Sequence, residues 1–495
     1  MKKLLITLTI ISFLAACAPT TTPTPTQMQQ PSQMSVVTKQ PTATVEASPT
    51  AEIQPTETKK PKGQNQPVAP TSASADFVAT EILGRPTDTS VTVNVVPAID
   101  MDVIITFGTA NGTTQTMTAA GKANTPQEIQ LSNLQPSTEY FYSVNGGAQH
   151  TFHTARAQGS TFTFAIQGDS HPERTKNQFD PNLYTKTLLS VASIQPDFYM
   201  TIGDDFSVDT LKDANAETVR TLYINQRQWL GLVDAPVFLV NGNHEQASLA
   251  NLDGTPNNVA VWAQTSRNAY YPQPAPDNFY TGNVEPVEFI GQLRDYYAFT
   301  WGDALFVVID PYWHSTQSVD NLFGDGKPNE QEQKGKRDLW EVTLGDVQYQ
   351  WFRQTLETSN AKYKFVFTHH VLGTGRGGIE LADTFEWGDS KNLSQHRTWD
   401  KTIHQLMVDN NVTIFFQGHD HIFARQELDG VIYQTLPEPA NPFYSWENQQ
   451  AYKSGDLFPN SGHVRVTVSP DGVTVDYVRS YLDKPDEVAF SYMVK

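Results

Sequence analysis

The sequence predicts an α/β protein preceded by a small all-β domain, and three observations lead there. From residue 161 onward, apolar runs of strand length end in loops of Gly, Asp, Asn and His, and stretches of helical spacing separate several of them. Residues 77–154 show only short alternating runs and turn signals, with no helical period. Before both, residues 18–75 hold ten of the chain's 31 prolines and no aromatic residue. That composition cannot bury enough apolar surface to offset the entropy of ordering.

In chain order, Lys2 and Lys3 precede an apolar run over residues 4–14 that is too short to span a bilayer. Ala15, Ala16 and Cys17 follow, which completes the layout of a secretory signal peptide over residues 1–17. Leu14-Ala15-Ala16-Cys17 resembles the bacterial lipobox, and the chain's one cysteine stands at its lipid-attachment position. The resemblance implies a cell-envelope lipoprotein on the extracytoplasmic membrane surface, held by a lipid on Cys17 as its sole membrane contact. Residues 18–75 then read as a disordered, semi-stiff Pro/Thr-rich stalk.

The all-β domain spans residues 76–156. Residues 90–96 alternate, 103–107 follow, and Asn111-Gly112 marks a turn; 128–131 and 140–144 come before Asn145-Gly146-Gly147. This pattern predicts a small β-sandwich. The stretch from Leu134 through Pro136 and Thr138 to Tyr140 resembles the corner motif of fibronectin type III-like domains, in particular the amino-terminal domain of purple acid phosphatases.

Residues 160–495 form the α/β domain. Strand 161–167 runs into Gly168-Asp169-Ser170-His171, and strand 197–202 into Gly203-Asp204. Strand 236–240 leads to Gly242-Asn243-His244-Glu245, and strand 304–309 to Asp310. Strand 363–367 leads to His369-His370, and strand 412–416 to Gly418-His419-Asp420-His421. Helical spacing is found around residues 183–192, 347–357 and 402–408, and Asp429-Gly430 and Asp471-Gly472 read as hairpin turns.

Charge and cysteine content exclude several functions. With 34 basic and 53 acidic residues the net charge is −19, and residues 1–75 are slightly basic, so the folded part carries the entire acidic excess. Such a surface repels nucleic-acid phosphates. One cysteine excludes a disulfide framework and any thiolate-rich metal site.

Six of the twelve histidines (171, 244, 369, 370, 419 and 421) lie directly after apolar strands, where α/β folds place ligands. Asp, His and Asn without Cys supply mixed oxygen and imidazole ligands, which suit Mn, Fe, Zn or Co better than Ca or Mg. The ordered set of G-D-S-H, G-D-D, G-N-H-E, H-H and G-H-D-H resembles the calcineurin-like metallophosphoesterase superfamily over about residues 161–430. This implies a β-sandwich flanked by helices (αββα) and a metal-dependent phosphoric ester hydrolase with two divalent or mixed-valence transition metals.

Position by position, the resemblance gives Asp169, His171 and His421 to the first metal and Asp204 to both. Asn243, His369 and His419 complete the second, with His369 preferred over its neighbour His370. It implies attack by a hydroxide shared between the ions, with Asn243 and His244 facing the substrate and His244 as the catalytic acid. Purple acid phosphatases carry a ligand Tyr three residues after the bridging Asp; here that residue is Ser207, so no purple charge-transfer colour is expected. Arg376, in the Gly-rich stretch 373–378, is a further candidate for the substrate phosphate. The expected substrate is a phosphorylated small molecule, most simply a monoester. A phosphodiesterase acting on nucleotides or lipid head groups, and a surface-binding lipoprotein with a structural metal site, are the alternatives.

Overall fold

Apolar alternation organises the amino-terminal strands into two antiparallel sheets. The computed structural model describes residues 74–319, 339–373, 375–382, 387, 393 and 399–495; Cys17 and the stalk lie outside the described residues. Strands β1 (Ile82–Gly84), β2 (Ser90–Val95) and β5 (Gln127–Ser132) form one sheet, in the order β1-β2-β5. The other contains β3 (Met101–Gly108), β4 (Gln115–Gly121), β6 (Glu139–Val144) and β7 (His150–His153), in the order β4-β3-β6-β7. Val91, Val93 and Val95 from the first meet Val103, Ile105 and Phe107 from the second. The corner motif closes as expected, with the Gln135 amide donating to the Tyr140 hydroxyl at 2.8 Å.

The larger region is a stack of two sheets between two layers of helices. One sheet holds β8 (Phe162–Gln167), β9 (Phe198–Thr201) and β10 (Val237–Leu239), all parallel. The antiparallel strands β21 (Gly462–Ser469), β22 (Gly472–Arg479) and β23 (Glu487–Val494) extend it to the order β10-β9-β8-β21-β22-β23. The second sheet takes the order β11-β14-β15-β16-β17-β19-β18-β20. Its parallel centre is β15 (Ala304–Val308), β16 (Tyr363–Phe367), β17 (Ile414–Gln417) and β19 (Val431–Thr435). Its edges are β11 (Thr281–Gly282), β14 (Tyr297–Trp301), β18 (Phe423–Leu428) and β20 (Asp456–Phe458). Strands β12 (Pro286–Val287) and β13 (Gly291–Gln292) pair as a separate hairpin.

Between the sheets Phe164, Phe198, Phe299, Phe306, Phe365, Phe367 and Phe416 pack ring to ring. Truncating one such ring to Ala costs about 3–5 kcal/mol. Helices α1 (Pro181–Ser193), α2 (Ala216–Leu230) and α3 (Val259–Tyr270) cover the outer face of the first sheet. Helices α4 (Gly345–Thr358) and α5 (Ile403–Asp409) cover the second. Asp180 caps α1 through the amides of Asn182 and Leu183, and Pro181 fills the first helical position, where a missing N–H costs nothing. Between residues 270 and 297, Tyr270, Tyr271, Tyr280, Tyr296 and Tyr297 are all buried and serve packing.

The small sandwich is built into this body. Its strand β2 is buried on both faces. Arg227 of α2 is fully buried and donates to Thr80 O, to Asn94 Oδ1 and O, and to Tyr270 O. Ile82 and Val96 join the apolar cluster beneath α1, α2 and α3. A pendant spacer would keep its outer polar face in water; here Asn94 is buried and bonded.

Candidate active site

Parallel pairing places the carboxyl ends of β8, β9, β10, β15, β16 and β17 at one end of the stack, and their loops converge there. Backbone bonds fix the loops to one another. The His171 amide donates to Asp204 O at 3.1 Å, and the Gly418 amide to His369 O at 2.8 Å. His171, Asp204, His419 and His421 all take positive φ, at 44°, 58°, 68° and 55°. Strain of that kind persists only where surrounding structure enforces it, and it clusters at functional sites. Gly242 is required sterically, since a Cβ there would sit 2.2 Å from Asp204 Oδ1.

Asp169 and Asp204 are fully buried. Asp169 accepts from the His419 amide, while its Oδ2 lies 2.9 Å from His421 Nε2. Asp204 Oδ1 accepts from the His244 amide at 2.9 Å, and its Oδ2 lies 3.1 Å from His369 Nε2 and 3.7 Å from His171 Nε2. Asn243 Oδ1 stands 3.1 Å from His369 Nε2, and His171 Nε2 stands 3.2 Å from His421 Nε2. The potential ligand atoms of Asp169, His171 and His421 all fall within 4.8 Å of one another, as do those of Asp169, Asp204 and His369. His369, His370 and His419 form a further such group.

Three of these imidazoles turn Nε2 inward because Nδ1 is held from outside. His171 Nδ1 meets Glu173 Oε1 at 3.0 Å, His421 Nδ1 meets Glu438 Oε1 at 3.2 Å, and His369 Nδ1 donates to Ile202 O at 2.9 Å. Such outer partners fix the tautomer and orientation of a metal-binding imidazole. His370 behaves differently from His369. Its Nδ1 is bonded to the Tyr312 hydroxyl at 2.7 Å, and its ring stacks on that of His419 at 3.9 Å.

Burial opposes ionisation of Asp169, but the imidazoles of His369 and His421 hold its carboxyl well below the usual carboxylate range. Burial lowers His171 to about 4, against the pull of Glu173, and drives His370 and His419 well below the ordinary imidazole value. His369 and His421 shift the other way: against burial, Asp204 and Asp169 raise His369 to about 10, and Glu438 and Asp169 raise His421, so metal ligation there would displace protons.

His244 lies at the rim of the cluster, its ligand atom within 4.8 Å of those of His171 and Asp204. It is partly exposed, its Nδ1 is bonded to Asp209 Oδ2 at 2.7 Å, and its Nε2 is 3.9 Å from Asp204 Oδ2. Burial works against its charge, but Asp204 and then Asp209 raise it to about 9. Asp205 and Glu245 are structural. Asp205 accepts from Gln167 and Ser170, and Glu245 accepts from the amides of Asp204, Asp205, Phe206 and Gly242. Arg376, a candidate for the substrate phosphate, uses NH1 to brace the last loop, donating to His419 O at 2.6 Å and to Asp420 Oδ1 at 3.1 Å.

A family model of calcineurin-like phosphoesterases matches residues 162–423, more than half of the chain. The chain belongs to this family. This phosphoesterase is thus a metal-dependent phosphoester hydrolase, and its Asp/His clusters are the groups present to hold metal. Two solved structures share its fold. The structure of PhoD aligns with a TM-score of 0.61 at 15% identity, covering 86% of this chain and 91% of that one. The purple acid phosphatase PPD1 from yellow lupin (Lupinus luteus) seeds aligns with a TM-score of 0.53 at 15% identity, covering 83% and 73%. No curated protein matches the phosphoesterase in sequence.

Four neighbours of the site were not anticipated from sequence: Glu173, Arg174, Asp209 and Glu438. Glu173 and Arg174 follow the first motif after Pro172, so their position alone could have flagged them. Asp209 and Glu438 reach the site only through tertiary contact.

Proposed function

We propose that this phosphoesterase is an extracytoplasmic phosphomonoesterase, tethered through a lipid on Cys17, with two transition metals held by the converging carboxylates and imidazoles. The convergence of Asp169, Asp204, His171, His369 and His421 within bonding reach of common points is the observation that carries this reading. Two buried carboxylates whose ion-pair partners among the described residues are all imidazoles match the charge of divalent ions, so the donor set fits the group. Asp169, His171 and His421 would hold one ion, and Asn243, His369 and His419 the other, with Asp204 shared. Bound there, the metals supply Lewis-acid activation of water and neutralise charge on the phosphoryl group.

The chain's own residues supply the remainder. Asp209 holds Nδ1 of His244, which leaves Nε2 to carry the proton toward the leaving oxygen. Asn243 is placed to donate its amide N–H to a substrate oxygen while its Oδ1 faces His369. The reinforced loops keep these groups in register before substrate arrives. Export and anchoring rest on Leu14-Ala15-Ala16-Cys17 and the proline-rich stretch behind it.

Turnover of nitrophenyl phosphate and bis-nitrophenyl phosphate, each with Mn, Zn, Fe and Co, tests the reaction. The monoester should be hydrolysed faster with at least one metal; a consistent preference for the bis-ester would overturn the monoesterase reading. Fatty-acid labelling that tags wild type and Cys17→Ala equally would overturn the anchor.

A further inference from the structure

We propose that Arg174 is the cation that receives the substrate phosphate, and that it selects dianionic monoesters over diesters. This rests on the phosphomonoesterase reading above and names the residue behind its selectivity.

Arg174 lies three residues beyond His171 on a loop with little freedom. Its amide donates to His171 O at 2.9 Å, and its carbonyl accepts from the amides of Asn177, Gln178 and Phe179 at 3.1, 3.0 and 3.0 Å. The side chain is equally constrained. Nε is 3.2 Å from Glu173 Oε1, and NH1 donates to Gln178 Oε1 at 2.5 Å. The same Glu173 oxygen holds His171 Nδ1 at 3.0 Å, so one carboxylate orients a metal-ligand candidate and the guanidinium together.

NH2 points toward the chemistry. It stands 3.2 Å from His244 Nε2, which is itself 3.9 Å from Asp204 Oδ2. A guanidinium donates and never accepts, so a group poised beside the catalytic imidazole can serve an oxyanion that reaches both. The side chain is 26% exposed, open enough for substrate to meet and buried enough for its charge to count. The other guanidinium at these loops, Arg376, has its NH1 bound to main chain and to Asp420.

The preference follows from charge and oxygen count. A monoester dianion carries three terminal oxygens and two charges; a diester carries two and one. A prepositioned guanidinium rewards the additional oxygen and charge, and a diester presents its second alcohol there instead.

The test compares wild type, Arg174→Ala, Arg174→Lys and Gln178→Ala, all metal-loaded and checked for metal content. Arg174→Ala should lower kcat/KM for nitrophenyl phosphate by about 10- to 100-fold, the scale of a charge-assisted hydrogen bond. The bis-ester should lose clearly less. Lys should restore part of the loss, and Gln178→Ala should raise the monoester KM more than it lowers kcat. Calorimetric binding of inorganic phosphate, which requires no turnover, should weaken with Arg174→Ala by a similar factor. Equal losses on both esters, lost metal, or unchanged phosphate binding would overturn the assignment. Wild type that binds phosphate through Arg174 but hydrolyses neither ester would refute the enzymatic reading and leave the phosphate contact standing.

Discussion

Two buried polar clusters, one around Arg227 and one around Asp204, solve opposite problems. Arg227 is surrounded by acceptors: its nitrogens meet three main-chain carbonyls and one side-chain amide, all supplied by the chain. At the strand ends two buried carboxylates and inward-turned imidazoles face one another across 2.9–4.0 Å. Their outer edges are held by neighbouring carboxylates and main chain, while their inner edges meet one another. The first cluster is complete as folded and joins the sandwich to the catalytic body. The second concentrates charge that an ion would balance. A buried polar group therefore indicates function through what its inner edge faces, not through burial itself.

Substitutions can press on each side of this contrast. Asp204→Asn strips the shared carboxylate, so metal content and activity should fall together, by about 10³-fold or more for a few kcal/mol at 1.36 kcal/mol per decade. Elemental analysis alongside kinetics checks this; retained metal with full activity would refute the shared-ligand assignment. His244→Ala should keep its metal and lose about 10²–10⁴-fold on an alkyl phosphate, and less on a nitrophenyl ester, whose leaving group needs little protonation. Equal losses on both would mean His244 acts by charge rather than by proton transfer. Glu438→Gln leaves His421 in place but weakens its anchor, and metal affinity should drop about 10- to 100-fold in a competition with chelator.

On the other side, Arg227→Met should leave metal affinity near wild type while destabilising the fold. Each orphaned carbonyl costs about 1–3 kcal/mol, so the midpoint of urea unfolding should shift by a total above about 3 kcal/mol. The smallest effect belongs to His150, which bridges Asp234 at 2.7 Å and Glu81 at 3.4 Å. Its hydrogen bonds to Asp234 and Glu81 outweigh burial and raise it to about 9. The stabilisation is complete below the unfolded value near 6.5 and fades as pH rises through 9. Asp234 is 40% exposed, so solvent limits the effect to about 1 kcal/mol or less. A His150→Gln variant that retained the full pH dependence of unfolding would exclude this bridge as its source.

The chemistry of the site was legible in the sequence because each ligand candidate is contiguous with the strand that delivers it. Asp169 follows β8 by two residues and His369 follows β16 by two, so a local pattern carried tertiary information. The layers were legible for a similar reason: buried strands read as apolar runs, and helices keep their period. Partners that orient the ligands were hidden. Asp209 reaches His244 across 35 positions, and Glu438 meets His421 from beyond an intervening hairpin, with no spacing to announce either. The brace made by Arg376 was hidden too, because a Gly-rich loop with one arginine looks the same in sequence whether it faces substrate or its own backbone. The sandwich could be identified as a fold, but its attachment through Arg227 could not, since a helix arginine ordinarily faces water.

The main-chain bonds between the metal-site loops have a bearing on supply. His171 to Asp204, Gly418 to His369 and Thr368 to Phe416 are joined amide to carbonyl, independently of any ligand side chain. A cradle tied in this way draws part of its shape from main chain alone, so the ions would be exchangeable occupants rather than the nucleus on which the chain folds. Its occupants would then follow the metals abundant in the surroundings, and a cell could change them without making a new protein.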